Sequence, residues 1–169
     1  IFDHTDRGLR IKTRRGRGDT CVVDGITFNN IKMDGVLTPL VINMFYFCDP
    51  DGKTEYVWSK EKLPVDDRTP YLGKFTFKNI EAINCEYAAG YFYGLPEQPI
   101  DEINIEDCSF SFNENAGSGL PAMMSFAEEC SRKGFIFNNV NRISLKRVKL
   151  EKIVGQRYYL QGFKSINEE

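Results

Sequence analysis

The chain has 169 residues, of which 41% are hydrophobic and 27% charged, and its formal net charge is −2. These values are ordinary for a globular domain, and no apolar run approaches the length of a membrane span, so we expect no membrane partner. Five cysteines without a CxxC pair indicate neither a zinc site nor a complete disulfide framework, and no cofactor or metal is implied. Unpaired cysteines slightly favour a cytoplasmic over a secreted location, which otherwise stays open.

The first residues indicate a fragment and a local concentration of positive charge. Ile1 takes the place of an initiator Met and begins inside a strand-like segment, so we expect a piece of a longer protein. Residues 7–17 hold six basic residues and no acidic one. Because no aromatic residue is interleaved for base stacking, the segment predicts a local anion site and no nucleic-acid partner.

The segment from Arg7 to Thr13 is predicted to form a strand. Alternate residues of a strand share a face, so Leu9, Ile11 and Thr13 would point inward while Arg10 and Lys12 point outward together. Two cations side by side suit an anion bound between them, and the alternative is a solvated basic strand.

One strand pattern of alternating apolar and polar residues recurs along the chain at intervals of 49, 28 and 40 residues. Its four copies are Ile26–Ile31, Phe75–Ile80, Ile103–Cys108 and Ile143–Val148. Asn30, Asn79 and Asp107 occupy one position, and Asn and Asp tolerate left-handed backbone, so we predict a repeated corner there. Arg147 departs from this rule in the last copy.

A second strand is predicted after each copy. The four candidates are Pro39–Phe47, Ala88–Tyr93, Ala122–Phe126 and Gln156–Leu160. Constant strands at unequal intervals indicate a solenoid of four to five coils with inserted loops. We expect one all-β domain over residues 1–169, whose largest insertion spans about 48–73.

Several segments together resemble glycoside hydrolase family 28, the polygalacturonase or pectinase family, and in particular the C-terminal part of a bacterial member. Arg10-Ile11-Lys12 resembles the family's RIK motif, and Val41–Tyr46 resembles the segment that carries its active-site tyrosine. The stretches 56–66 and 93–98 are similar to bacterial members. The resemblance implies a right-handed parallel β-helix, with Arg10 and Lys12 binding the carboxylate of a galacturonate. It also makes Tyr46 a candidate sugar contact, with packing under a loop as the alternative.

The family's catalytic motifs are missing from the sequence. Family members carry Asn-Thr-Asp, Asp-Asp and Gly-His-Gly before the RIK motif, whereas His4 lacks flanking glycines and Asp66-Asp67 lies after the motif in the insertion. We therefore predict no catalytic residue here. The resemblance implies a parent enzyme that hydrolyses α-1,4-galacturonide bonds with inversion, which needs two carboxyl groups.

Two further expectations concern partners. The chain would contact a galacturonate-containing oligo- or polysaccharide, and the alternative function is a non-catalytic module that binds acidic carbohydrate. An exposed first coil would leave strand edges and apolar side chains open, so a homodimer through the N-terminal coil is expected, or else a cap formed by Ile1–Arg7.

Overall fold

The computed structural model describes all residues from 1 to 169 as a stack of strands with two long loops. Thirteen strands follow one another: β1 (Phe2–Asp3), β2 (Arg7–Lys12), β3 (Val22–Val23), β4 (Ile26–Asp34), β5 (Thr38–Asn43), β6 (Tyr71–Leu72), β7 (Lys74–Cys85), β8 (Ala88–Tyr93), β9 (Ile100–Glu106), β10 (Ser109–Phe112), β11 (Lys133–Lys146), β12 (Lys149–Glu151) and β13 (Tyr158–Glu168). A 3₁₀ turn (Pro50–Lys53) and the one-turn helix α1 (Glu55–Trp58) lie between β5 and β6.

Every pairing between these strands is parallel. Strands β3 and β6 form a separate two-stranded sheet, and the other pairings form three faces. The first face stacks the N-terminal part of β4 on β7, then β9, the second half of β11 and the end of β13. The second face has the order β1, end of β4, end of β7, β10, β12. The third face has the order β2, β5, β8, first half of β11, start of β13. This confirms the all-β parallel β-helix, and each face is five strands deep.

Apolar residues form continuous ladders through the stack because the copies of the recurring pattern are in register. On the first face Ile26 pairs with Phe75, which pairs with Ile103, which in turn pairs with Ile143. Phe75 and Ile103 are fully buried. Each coil buries this inward row only against the next coil, which is why the pattern repeats in the sequence.

The corner between the first and second faces has the left-handed backbone predicted for it. Asn30, Asn79 and Asp107 have φ of 60°, 52° and 54°. Arg147 keeps the same conformation, with φ of 51°, although its side chain is not suited to it. Arg147 donates to both Glu106 and Asp107 across the adjacent coil, which compensates the unfavourable backbone.

The predicted second strands are partly confirmed. Ala88–Tyr93 is β8 as predicted, β5 ends at Asn43 rather than Phe47, and β13 begins at Tyr158. Ala122–Phe126 is wrong: this segment is a loop, and the strand of that coil on the third face is the first half of β11. Ala122 and Met124 are apolar because they are buried in a loop contact, not because they alternate along a strand.

Two loops leave the stack beside the third face, and both shape the candidate site. We call residues 44–70, between β5 and β6, the insertion loop; it lies slightly before the predicted range of 48–73. We call residues 113–132, between β10 and β11, the bridging loop. No helix of the chain has the length and apolar character needed to cross a membrane.

Candidate functional site

Strand β2 lies at the edge of the third face and presents the residues that the sequence singled out. Leu9 and Thr13 are buried, whereas Arg10 and Lys12 are exposed, as the alternation predicted. Arg10 pairs in register with Val41, and Lys12 with Asn43 of β5. The two cations therefore project from the same side of the sheet as the outward residues of the next coil.

Lys12 and Tyr46 come together, but Arg10 is directed elsewhere. The Lys12 ammonium lies 3.9 Å from the centre of the Tyr46 ring, and both residues line a cavity of about 390 Å³. Such a contact is a cation–π interaction. Arg10 does not line this cavity, and its guanidinium instead lies 3.1 Å from the sulfur of Met123 in the bridging loop. Tyr46 thus contacts Lys12 while it is half-buried beneath loop residues.

The remaining cations of the basic segment do not form one anion site, which corrects that interpretation. Arg14 is buried and donates to Asp49 at 2.7 Å and to both oxygens of Asp51, and Arg17 shares Asp49 with it. The partners lie in the insertion loop, which folds back on the basic segment and neutralises it. Arg7 approaches Asp6 at 4.0 Å, so Arg10 and Lys12 are the two cations of the segment without a carboxylate partner.

Arg15 fixes the insertion loop to the stack. Its guanidinium donates to both oxygens of Glu97 at 2.6 and 2.9 Å, and both side chains are only 1% exposed. It also donates to the backbone carbonyls of Tyr56, Ser59 and Glu61. A buried guanidinium with this many acceptors is fully paired, so it holds the loop in one position over the third face.

The insertion loop and the bridging loop meet over the middle of the third face. Tyr46 forms an antiparallel β-bridge with Met124. Beneath this contact Val41 and Asn43, the outward neighbours of Arg10 and Lys12, have no exposed surface. We call this meeting of the two loops, at Tyr46 and Met124, the loop contact. It separates the Lys12 cavity from the part of the third face formed by the later coils.

A lysine with a perturbed pKa lies inside the loop contact. The Lys60 ammonium is 3.5 Å from the centre of the Phe45 ring and 3.4 Å from the carbonyl oxygen of Ser125. Burial, and then repulsion by Arg15, lower the pKa of Lys60 to about 8. This environment is not visible in the sequence, since Phe45 and Ser125 are distant from Lys60 along the chain.

A second cavity of about 310 Å³ lies on the other side of the loop contact, over β8, β11 and β13. Tyr91, Tyr93 and Tyr159 line it together with the amides of Asn138 and Gln161. Sequence reasoning missed this site. The signal was the alternation of Tyr91-Phe92-Tyr93, which places both tyrosines on the outward side of a strand.

These features define a class of protein, namely a parallel β-helix with a polar and aromatic face between two loops. Residues 2–69, which include Arg10, Lys12 and Tyr46, match the sequence profile of glycosyl hydrolases family 28. The chain is also 28% identical over 115 residues to a polygalacturonase of Prunus persica. The matched segment and the relative both support the resemblance to glycosyl hydrolase family 28 that the sequence shows.

The alignment covers only part of the Prunus persica protein. The alignment takes in 68% of this chain but only 26% of the Prunus persica protein, so the chain spans about a quarter of its relative's length. No solved structure matches the chain.

Proposed function

We propose that this chain forms part of the substrate cleft of a polygalacturonase-type glycoside hydrolase, acting on α-1,4-galacturonide bonds of pectin or its oligomers with inversion. The observation that carries the proposal is the exposed Arg10–Lys12 pair within the segment that matches the family. In this proposal Arg10 leaves the sulfur of Met123 and joins Lys12 in binding the carboxylate of one galacturonate, with Tyr46 beside Lys12. A guanidinium and an ammonium 2 residues apart on a strand can address one carboxylate from two sides.

The same proposal assigns no catalytic residue to these 169 residues. An inverting glycosidase needs one carboxylic acid and one carboxylate on opposite sides of the bond. Asp49 lines the Lys12 cavity, but Arg14 and Arg17 hold it as an ion pair. The chain would thus be the C-terminal part of the β-helix, and the proton-transfer groups would belong to another part of the protein.

Binding measurements on this chain test the proposal. Trigalacturonate is expected to bind, and Arg10→Ala should weaken it about tenfold or more because a charge-assisted hydrogen bond contributes ~1.5–3 kcal/mol. Lys12→Ala should cost somewhat less. Lys32→Ala is the matched control, because Lys32 is an exposed lysine on the second face. Wild-type affinity in both variants, or release of reducing sugar by the chain alone, would contradict the assignment.

The alternative function is a non-catalytic module that binds acidic carbohydrate through the same pair. It predicts the same binding data, and the two functions differ in the rest of the protein. Hydrolysis of trigalacturonate by the whole protein, lost in Arg10→Ala, favours the enzyme; binding without any hydrolysis by the whole protein favours the module.

A further inference from the structure

The second cavity has the floor and the volume of a monosaccharide site. Two outward rows form its floor: Tyr91, Ile136 and Tyr159 pair in register, and beside them Tyr93, Asn138 and Gln161 do the same. Its volume of about 310 Å³ falls at the lower end of the range of small-ligand pockets. Aromatic surfaces flanked by amides match a pyranose, which has an apolar C–H surface and a rim of hydroxyl groups.

The loop contact makes this cavity distinct from the Lys12 cavity. Strand β5 lies between β2 and β8, and its outward residues Val41 and Asn43 are fully buried there. With strands about 4.8 Å apart, the centre of the second cavity lies roughly 14 Å from the strand of Lys12. A chain of sugars cannot run along the sheet surface from one cavity to the other, because the contact of Tyr46 with Met124 occupies that path.

The charges around the second cavity disfavour an anionic ligand. Glu128 and Glu129 of the bridging loop line it, with Lys133 as the one cation among the lining residues. The Lys133 ammonium donates to the Tyr159 hydroxyl at 3.0 Å and keeps its charge, so the lining residues carry two negative charges and one positive charge. A carboxylate ligand would meet a net negative charge, whereas the hydroxyl groups of a neutral sugar can donate to the Glu128 and Glu129 carboxylates.

The rim of the cavity carries a strained aromatic residue. Phe126 is 74% exposed and has φ of 61°, a left-handed conformation that is costly for a bulky side chain. Trp58 of the insertion loop packs edge-to-face against it at a centroid distance of 5.4 Å. Strained and exposed aromatic residues cluster at ligand-binding positions, and here both loops contribute to holding one at the mouth of the cavity.

We propose that the second cavity binds a neutral pyranose residue, selected over its uronate counterpart by Glu128 and Glu129. This goes beyond the proposed function, since it concerns a different cavity, a different class of sugar and no residue of the Arg10–Lys12 pair. Asn138 and Gln161 bind the hydroxyl groups, and the tyrosine rings contact the apolar side of the ring.

Galactose and galacturonate test this directly, because they share their stereochemistry and differ in a hydroxymethyl group against a carboxylate. Titrated into the ¹⁵N-labelled chain, galactose should shift the amide signals around Asn138 and Gln161. A dissociation constant on the order of 1 mM is expected for a ligand of about twelve non-hydrogen atoms. Galacturonate should bind there at least about fivefold more weakly, since it adds a like charge next to two carboxylates.

Variants separate the site from the fold and from the other cavity. Gln161→Ala changes an exposed side chain and should weaken galactose at least about threefold, as should Asn138→Ala, whereas Thr76→Ala on the first face should not. Glu128→Gln should bring the two sugars closer in affinity. Gln161→Ala should leave trigalacturonate binding unchanged, which keeps the two results independent. Absence of galactose shifts, equal or tighter binding of galacturonate, or full affinity in Gln161→Ala and Asn138→Ala would overturn the proposal.

Discussion

Lys60 shows how the folded environment can change the acid–base chemistry of a side chain that looks ordinary in the sequence. Its ammonium is packed against the Phe45 ring, 5.2 Å from the centre of Tyr93, and near the guanidinium of Arg15. The aromatic rings favour the charged form, while burial and Arg15 disfavour it. The effect of burial and Arg15 is larger, so the pKa of Lys60 falls to about 8. Lys60 therefore keeps its charge at pH 7 and loses it above about pH 8.

This balance can be measured at the level of the one residue. When the lysines are methylated with ¹³C-formaldehyde, Lys60 should give a signal with a pKa of about 8, and Lys60→Arg should remove that signal. Arg15→Met should raise the pKa of Lys60, because it releases the loop that buries the ammonium and removes the repelling charge. A Lys60 signal that titrates near 10.5 would show that water reaches the ammonium freely.

Glu102 lies at the centre of a ladder of opposite charges that runs across three coils. On the first face Lys74 and Arg142 both approach Glu102 at 3.0 Å from the coils on either side. Hydrogen bonds from Asn104 and Lys74, together with Arg142, lower the pKa of Glu102 to about 2. Since the pKa is lower in the folded state, this stabilisation is present above the unfolded pKa and is lost as the pH falls through about 2.

Glu102→Gln should therefore destabilise the chain by about 1–2 kcal/mol at pH 7, with the difference narrowing as the pH falls below about 4.5. Glu81→Gln is the control, because Glu81 forms a single exposed pair with Lys32 and should change stability by less than ~0.5 kcal/mol. Urea unfolding at pH 7, 4 and 3 measures both. If both substitutions lower the free energy of unfolding equally, the paired cations around Glu102 stabilise the chain no more than a single exposed ion pair does.

Among the larger elements, the insertion loop depends on one buried ion pair. Arg15→Met leaves Glu97 buried without its partner, and such a loss costs ~3–5 kcal/mol. The three carbonyls that Arg15 binds would also be released, so residues 54–62 should become sensitive to protease before the stack unfolds.

The double variant Arg15→Met, Glu97→Met separates the charge from the anchoring. It should recover part of the lost stability, because two apolar side chains replace a desolvated pair. Chemical unfolding with limited proteolysis follows both quantities. If Arg15→Met alone stays within about 1 kcal/mol of the original chain, water or another group must neutralise Glu97.

The sequence predicts elements that depend on local interactions, and it does not predict those that depend on contacts between distant residues. The corner at Asn30, Asn79 and Asp107 was predicted correctly, since left-handed backbone is a local preference of each residue. Ala122–Phe126 was assigned wrongly to a strand, because an apolar segment buried by a distant loop looks the same as one buried in a sheet. Arg15 and Glu97 stand 82 residues apart, so nothing in the sequence marks their pairing.

For the molecule as a whole, the open first coil predicts self-association, which stays a prediction. Strand β2 ends the order of the main sheet, Ile1 is fully exposed, and Ile11 is half-buried. Residues 2–3 pair with β4 and continue the stack, so they do not fold over it as a cap, which was the alternative. Unpaired strand edges and apolar surface favour association at about 25 cal/mol per Å² of apolar area buried.

Light scattering at tens of micromolar protein should detect a dimer that dissociates on dilution. Ile1→Lys places a charge on this end without touching the core and should weaken the dimer. A monomer at every concentration tested would show that the first coil is closed well enough by its own side chains.

The bridging loop also changes how the stack should come apart. Contacts in a solenoid run between neighbouring coils, and such arrays unfold progressively from an end. Here the Arg7 guanidinium donates to the carbonyl of Leu120, and Arg10 reaches Met123, both across 113 residues. The first coil is thereby tied to the fourth, so detaching it requires the loop contact to open as well. The chain should then lose its structure cooperatively, in one transition, rather than coil by coil from its N-terminal end.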